Sequence, residues 1–443
     1  MIRTPISDYL DKYEKSGAAR FHMPGHKGRG DGGEIYDITE IDGAGELFST
    51  EGIIADSEEI ASSVFGFRTY YSAEGSSLAI RAMTSLAARR AGSTRVIAGR
   101  NAHRSFLSSA ILLGLDVKWI YPPRGESYLS CPVTPDDVAK ALDEEADASF
   151  VYITSPDYLG NICDIEEIAR VCRERGTMLL VDCAHGAYFK FLRTSQHPID
   201  LGADMCAASA HKTLPVLTGG AYLQLSDSAD ALFSPREVKE TMELFASSSP
   251  SYLILRSLDR ANAYIDENRS VLADFERKAA AVKRSLEAAG YTLCGDEAWK
   301  ITISALPFGY TGDELANEVI RRGIAPEFHD SGFLSFMLTP ENTDSDLERL
   351  RTALLGIEKR PALVKRAEMT APPKIALTPR DAFFAEREVI PTAMSVGRIF
   401  ASAAVSCPPA VPIAFCGEVI TDGTARRLSE HGITEVQVVK KNL

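Results

Sequence analysis

The chain has 443 residues, of which 45% are hydrophobic and 25% are charged, and its formal net charge is −13. This length exceeds that of a typical single domain, so we expect two or three domains around a substantial core. The acidic balance disfavours nonspecific nucleic-acid binding, and no run of about 18 apolar residues indicates a membrane span.

The N-terminal residues lack the apolar segment of a secretory signal, so we expect a cytoplasmic protein. The chain has eight cysteines, and none of them forms a CxxC pair or a Cys/His cluster with zinc spacing. We therefore expect reduced, mostly buried thiols and no metal site.

Residues 1–50 are expected to form an N-terminal arm that begins with a short helix over 6–15. Residues 51–249 alternate between short apolar runs and helical periodicity. Strands are predicted at 95–98, 117–120, 149–154, 178–181, 205–208 and 221–225, and helices at 77–90, 105–113, 135–145 and 165–175. This alternation is typical of βα units, so it predicts an α/β large domain with a mainly parallel sheet.

Residues 250–290 are expected to form one long connecting helix. Residues 291–360 follow a strand, helix, strand, strand, helix pattern, which predicts a smaller α+β domain. Residues 361–443 begin as a linker rich in Pro and Lys and continue as a C-terminal region with a helix, a Pro-rich turn, a second helix and a strand.

The segment Ser209-Ala-His-Lys-Thr213 directly follows a predicted buried strand. A lysine in this position can bond covalently to an aldehyde while its neighbours bind a phosphate. Asp182 stands at the end of the preceding strand, and the carboxyl ends of parallel strands are where ligands bind in such sheets. Lys212 together with a carboxylate is what pyridoxal phosphate (PLP) requires of a protein.

The segment Glu74-Gly-Ser-Ser77 opens the first clear helix of the large domain. Gly75 permits close backbone approach, and the two hydroxyls and the helix N-terminus suit a phosphate. Ser209 and His211 could add further donors. His103, which follows the second strand, could stack on the cofactor ring.

Each of these residues also has an ordinary structural interpretation. Gly-Ser-Ser before a helix is most often a plain N-cap, Asp182 could cap a loop, and Lys212 could be a solvated lysine. The PLP interpretation depends on finding all of them in order, each at a junction between a predicted strand and a helix.

Taken together, these motifs resemble the Orn/Lys/Arg decarboxylase family of fold-type-I PLP enzymes, and the resemblance runs nearly end to end. The length is similar to that of the short form of the family, which lacks an N-terminal wing domain. The matching segments are Phe21-His-Met-Pro-Gly-His-Lys27, Glu74-Gly-Ser-Ser77, Asn101-Ala-His-Arg-Ser105, Val181-Asp-Cys-Ala-His-Gly186, Ser209-Ala-His-Lys212 and Gly417-Glu418.

The resemblance implies a PLP-dependent transferase-like fold and a role for each matching residue. Lys212 would attach to the cofactor, Asp182 would pair with the ring nitrogen, and His103 would stack on the ring. The other implied cofactor contacts are Gly75, Ser76, Ser77, Ala184, His185, Ser209, His211, Ser248 and Ser249. Ser248 or Ser249 would reach the active site of the neighbouring subunit in a homodimer, while Glu418 and His26 would contact the substrate.

The implied activity is decarboxylation of lysine, ornithine or arginine to the corresponding amine for polyamine metabolism. The cofactor alone does not select the bond that breaks, so two alternatives stay open. One is a PLP enzyme of another reaction type, such as an aminotransferase or lyase. The other is a PLP-binding relative without turnover.

Four positions depart from the family pattern. Asp157 replaces a neutral residue, usually Thr, and Arg256 replaces a small one, usually Ala. These two charges could pair with each other, or Arg256 could be a surface charge on the connecting helix. Cys407 and Cys416 stand where the family pattern has other residues in its late Pro-rich motif. All four fall where substrate or subunit contacts are expected.

Overall fold

The computed structural model describes residues 2–30, 32–123, 127–364, 372–403 and 410–441. The chain divides into two compact units, one of Met1–Arg89 with Leu179–Asp274 and one of Arg90–Met178 with Phe275–Leu443. Within the described ranges, every helix is too short or too polar to cross a membrane.

The helices and strands, numbered in chain order, have the following bounds. The α-helices are α1 (Pro5–Lys15), α2 (Ile53–Phe65), α3 (Gly75–Ala91), α4 (Arg104–Leu113), α5 (Pro135–Glu144), α6 (Ile165–Glu174), α7 (Ala210–Thr213), α8 (Asp227–Asp230), α9 (Pro235–Glu243), α10 (Tyr252–Glu267), α11 (Arg269–Ala288), α12 (Gly312–Arg321), α13 (Asp344–Leu355), α14 (Pro379–Phe384) and α15 (Asp422–Glu430). The strands are β1 (Arg68–Ser72), β2 (Arg95–Gly99), β3 (Asp116–Ile120), β4 (Phe150–Thr154), β5 (Met178–Asp182), β6 (Met205–Ala208), β7 (Ala221–Leu225), β8 (Thr292–Cys294), β9 (Lys300–Ser304), β10 (Phe328–His329), β11 (Phe333–Met337), β12 (Arg387–Pro391) and β13 (Glu435–Val439).

In the first unit, the strands lie in the order β1-β7-β6-β5. β5 and β6 are parallel, with Asp182 opposite Ala207, whereas β7 runs antiparallel to both β6 and β1. Leu179, Leu180 and Val181 are fully buried, because a central strand covered on both faces needs apolar side chains throughout. β7 departs from the parallel series because the chain turns back through α7 without a crossover helix.

In the second unit, β2 pairs in parallel with both β3 and β4, and the helices α4 and α5 connect successive strands. A separate antiparallel sheet has the order β10-β11-β9-β8. This sheet and the helices α12 and α13 fall within the predicted α+β region at 291–360. β12 and β13 form a third, two-stranded sheet.

The single connecting helix predicted over 250–290 is wrong, because the structure has α10 and α11 with a break at Asn268. The Asn268 side-chain amide donates a hydrogen bond to the carbonyl of Tyr264 at 2.9 Å. An asparagine side chain that bonds to its own helix competes with the backbone pattern and favours helix ends. The absence of Pro and Gly from this stretch therefore did not suffice to predict an unbroken helix.

The predicted boundaries of the domains stay a prediction, because the two compact units group the chain differently from a linear division. Part of the predicted linker, residues 365–371, lies outside the described residues, as do Cys407 and the two prolines that follow it.

One buried ion pair anchors α9 to α2 within the first unit. The Lys239 ammonium lies 2.6 Å from the Glu58 carboxylate and donates to the Leu47 carbonyl at 2.5 Å. The exposed fractions of the two residues are 2% and 5%. Burial raises the pKa of Glu58, and Lys239 opposes that shift. Each charge in such a pair is costly to bury without the other.

We predict that Lys239→Met lowers the free energy of unfolding of the first unit by about 3–5 kcal/mol, because it leaves Glu58 buried without its counter-charge. Urea denaturation followed by circular dichroism measures the change. The control is Lys278→Met, since Lys278 and its partner Asp344 are both solvent-exposed and an exposed pair contributes about 0–1 kcal/mol. Equal destabilisation by the two substitutions would refute this account of the pair.

Candidate functional site

The loop that carries Lys212 is built by backbone hydrogen bonds at the end of β6. Ser209 is the N-cap residue of α7, and its carbonyl accepts from the Lys212 N–H at 3.2 Å. The His211 N–H donates to the Gly220 carbonyl at 3.1 Å, which closes the loop back onto the start of β7. Lys212 is half-buried in this loop.

Asp182 is the last residue of β5, and only 1% of it is exposed. Its Oδ1 accepts a hydrogen bond from the Ala184 N–H at 3.2 Å. The Ala184 carbonyl in turn accepts from the Ser209 N–H at 3.3 Å, and the Cys183 N–H donates to the Ala207 carbonyl at 2.9 Å. The turn after Asp182 and the turn before Lys212 are therefore hydrogen-bonded neighbours, as expected for the carboxyl ends of adjacent parallel strands.

Three of the predicted cofactor contacts, Gly75, Ser76 and Ser77, open α3, and Ser209 bonds to one of them. The Ser209 hydroxyl donates to the Ser76 hydroxyl at 2.9 Å, and both residues are largely buried. Gly75 has a φ of +70°, and its N–H donates to the Gly219 carbonyl at 2.6 Å. Ser77 follows, half-buried, in the first turn of α3.

This corner fits a phosphate. A Cβ added at Gly75 would meet nothing within 4 Å, so there is open space beside the backbone at a helix N-terminus. Two hydroxyls from different elements lie next to each other at the same point. Because a helix N-terminus offers N–H groups and the positive end of the helix dipole, the arrangement is suited to the phosphate of PLP.

His185 and His211 lie in the same two turns as Asp182 and Lys212. His185 follows Asp182 and is buried, with 5% exposed. His211 has its Nδ1 2.9 Å from the Gly220 carbonyl, so Nδ1 carries the proton and donates. Burial lowers the pKa of His211, and the Lys212 charge lowers it further. Its predicted role as a phosphate donor stays a prediction, because only the protonated ring would have a second N–H.

The segment with Ser248 and Ser249 is exposed to solvent in the isolated chain. Just before these serines, the Ser247 N–H donates to the Glu74 carboxylate at 2.6 Å. This bond ties the segment to the residue that precedes Gly75. The predicted reach of either serine into a neighbouring subunit stays a prediction.

His103 lies in the second unit, where it is the N-cap residue of α4 at the end of the turn that follows β2. Its Nδ1 lies 2.8 Å from the Ser105 hydroxyl and 3.2 Å from the Ser105 N–H, from which it accepts. Nδ1 is thereby committed to its own helix cap, so the ring orientation is fixed by local bonds. Its predicted stacking on the cofactor stays a prediction.

The two predicted substrate contacts are engaged within the chain. Nδ1 of His26 accepts from the Gly28 N–H at 3.0 Å, and its Nε2 lies 3.2 Å from the Asp37 carboxylate. Glu418 is buried, with 2% exposed, and both of its carboxylate oxygens bond to the Arg100 guanidinium at 2.9 Å. Contact of either residue with the substrate stays a prediction.

Arg100 was not predicted from the sequence as the partner of Glu418. Arg100 directly follows the buried strand β2 and precedes the Asn-Ala-His segment, and 7% of it is exposed. An arginine at the end of an apolar strand next to a candidate ligand contact was an available signal, because a buried guanidinium requires partners. Its partner Glu418 could not be predicted, because the two residues lie far apart in the sequence.

The two added charges are each bonded within their own unit. The Arg256 guanidinium lies 2.9 Å from the Asp11 carboxylate and 3.6 Å from the centre of the Tyr36 ring. Asp157 accepts from the N–H groups of Leu159 and Asn161 at 2.9 and 3.0 Å, and burial raises its pKa. The idea that Asp157 and Arg256 pair is therefore wrong, and Arg256 is a partly buried anchor for α1 rather than a plain surface charge.

Cys416 lies immediately before the Gly-Glu pair. It is buried, with 3% exposed, and burial raises the pKa of its thiol to about 12. A thiol with such a pKa stays protonated and behaves as a small apolar side chain.

Comparison with known proteins supports the predicted family and fold. The family described as Orn/Lys/Arg decarboxylase, major domain, matches residues 4–307. The arginine decarboxylase of Halalkalibacterium halodurans is 30% identical over 97% of this chain and 93% of its own length, and that of Bacillus subtilis is 29% identical over 95% and 91%. The solved lysine decarboxylase of Francisella novicida has a TM-score of 0.80 at 18% identity, covering 99% of this chain and 81% of that chain. The last likeness confirms the predicted fold class.

We predict that Ser76→Ala and Ser209→Ala each weaken PLP binding by about 10- to 100-fold, because a hydrogen bond to a charged group contributes about 1.5–3 kcal/mol. Titration of the apoprotein with PLP, followed by absorbance, measures the dissociation constant. Ser63→Ala is the control, since among the described residues its exposed hydroxyl bonds to the Glu59 carbonyl within α2. Unchanged affinity in both site variants would exclude this corner as the phosphate site.

Proposed function

We propose, from the premise that this chain belongs to the Orn/Lys/Arg decarboxylase family, that it removes the α-carboxyl group of arginine as carbon dioxide and releases the corresponding amine. The enzyme is a PLP-dependent amino-acid decarboxylase, a carbon–carbon lyase, and its substrate class is the basic amino acids. Two parts of the proposal go beyond the substrate class. One is that the substrate is arginine, and the other is that the amine product supplies polyamine metabolism.

The choice of arginine rests on the extent of the similarities. The two arginine decarboxylases match over more than nine-tenths of this chain and of their own lengths. A lysine decarboxylase of Pseudomonas aeruginosa matches at 23% identity over 58% of this chain and 37% of its own length. The similarity to arginine decarboxylases therefore extends over the C-terminal region as well as the large domain.

One observation carries the functional assignment: the turn after Asp182 and the turn before Lys212 are hydrogen-bonded to each other, with the Ser76–Ser209 contact beside them. A lysine, a buried carboxylate and a phosphate corner gathered at one end of two parallel strands fit the two ends of PLP. Bound PLP supplies an aldehyde that amines can join and a ring that takes up the electrons of the broken bond.

The residues of the chain then have separate tasks. The Lys212 amine would hold the cofactor by its aldehyde. The Asp182 carboxylate, buried and oriented by the Ala184 N–H, would keep a proton on the ring nitrogen. Ser76 and Ser209 would hold the phosphate, and His103 would stack on the ring. A ring held at these groups would orient the substrate, and orientation selects which bond at Cα breaks.

We also propose a cytoplasmic homodimer with a shared active site, which could assemble further. The exposure of Ser248 and Ser249 in the isolated chain and the 95% exposure of Phe21 in the arm support this proposal. An almost fully exposed phenylalanine within a family motif is a surface that a second subunit could cover.

We predict that arginine gives its amine with a kcat/KM about 100-fold or more above that for lysine or ornithine, because a site built to bond a planar guanidinium leaves polar groups unpaired with an ammonium. Mass spectrometry of the amine product and carbon dioxide release, with each amino acid alone, measure this. Lys212→Ala serves as the inactive control, and Lys440→Ala, an exposed lysine paired with Glu386, as the active one.

Two results would oppose the proposal. A preference for lysine or ornithine would overturn the choice of arginine and leave the decarboxylase intact. Conversion of the cofactor to its amine form without gas release would overturn the reaction type.

A further inference from the structure

Each nitrogen of the Arg100 guanidinium donates a hydrogen bond within the second unit. Its Nε and Nη2 donate to the two oxygens of Glu418, each at 2.9 Å. Nη1 donates to the Pro412 carbonyl at 3.0 Å, and Nη2 also donates to the Ile413 carbonyl at 3.2 Å. Such a bidentate pair with added backbone partners is the geometry that makes a buried arginine tolerable.

Glu418 is equally committed. Besides Arg100, its Oε2 accepts from the Phe415 N–H at 2.8 Å, so the turn from 415 to 418 folds around the carboxylate. The Phe415 ring centre lies 4.2 Å from the Arg100 guanidinium carbon and 4.2 Å from the Trp119 ring centre. These rings cover the ion pair on its apolar side.

The same C-terminal segment touches the chain on both sides of His103. On one side, the segment bonds to Arg100, whose own N–H donates to the Ile120 carbonyl of β3 at 2.9 Å. On the other side, the Arg104 N–H at the start of α4 donates to the Ala410 carbonyl at 3.0 Å. The turn that presents His103 is thus fixed between the sheet and residues 410–418.

We propose that Arg100 and Glu418 are positioning residues, a clamp that holds the turn 100–104 and thereby sets the place of His103; the inference rests on the proposed role of His103 at the cofactor. Glu418 then acts through Arg100 and does not bind the substrate. A carboxylate that turned toward a substrate cation would leave Arg100 buried without its counter-charge, which is strongly unfavourable.

The test compares Arg100→Met, Glu418→Gln and the double variant in the holoenzyme. The matched control is Glu388→Gln, because Glu388 of β12 pairs with Arg398 at 2.5 Å, and Arg398 also donates to the Val439 carbonyl of β13. Hydrogen exchange by mass spectrometry on the peptide covering 100–107 measures how firmly the turn is held. Steady-state kinetics give kcat and KM, and visible circular dichroism gives the environment of bound PLP.

The clamp predicts that amide exchange in 100–107 becomes at least about tenfold faster in both single variants and in the double variant, with no change in the control. It also predicts that kcat falls by about 100-fold with KM little changed, that the visible dichroism changes, and that the double variant is no worse than the poorer single one.

Other results separate the alternatives. A raised KM for arginine in Glu418→Gln, with exchange in 100–107 unchanged, would overturn the clamp in favour of a direct substrate contact. Faster exchange throughout the chain in the variants would mean general destabilisation and also overturn it. If the wild-type protein released no carbon dioxide, the proposed function would fail, while the exchange measurement would still decide whether the turn is clamped.

Discussion

The parallel pairing of β5 with β6 places the two groups that the chemistry requires. With Asp182 opposite Ala207, the backbone of each strand continues into a turn that hydrogen-bonds to the other. The carboxylate therefore stands at the end of one strand and the amine just beyond the end of the next. A shift of register by one residue would turn each side chain to the opposite face of the sheet, so the site depends on this alignment.

In each unit, buried charged side chains hold separate segments of the chain together. In the first, Asp259 is fully buried and accepts from the Ser7 N–H at 2.8 Å and the Ser57 hydroxyl at 2.7 Å. This ties the N-terminal arm to α10 and α2, and burial raises the pKa of Asp259. In the second, Arg100 and Glu418 tie the C-terminal segment to the turn that carries His103. Such groups are costly to bury, and their directional bonds specify where each bonded segment must lie.

Local patterns in the sequence predicted most of the helices and strands and indicated the candidate cofactor residues. The alternation of apolar runs and helical stretches placed β2 to β6 and α3 to α6 within a few residues. Lys212 and Asp182 were predicted as cofactor contacts because each follows a strand end, where a parallel sheet places its ligands, and Ser76 was predicted because it opens a helix.

What sequence could not predict depends on contacts between distant residues or on local competition. Arg100 and Glu418 are 318 positions apart, and no periodicity links them. The pairing of Arg256 with Asp11 joins α10 to α1 across a similar gap. The antiparallel direction of β7 was not predicted, because it depends on where the chain goes after α7. The break at Asn268 depends on one side-chain hydrogen bond.

The central claim is that the Lys212 amine is the covalent anchor of the cofactor beside Asp182. Its most direct test is reduction of the PLP-loaded protein with borohydride, followed by proteolysis and mass spectrometry of every lysine-containing peptide. We expect the reduced pyridoxyl group on Lys212 alone, at close to one per chain. A label on another lysine, or none after saturation with PLP, would contradict the account.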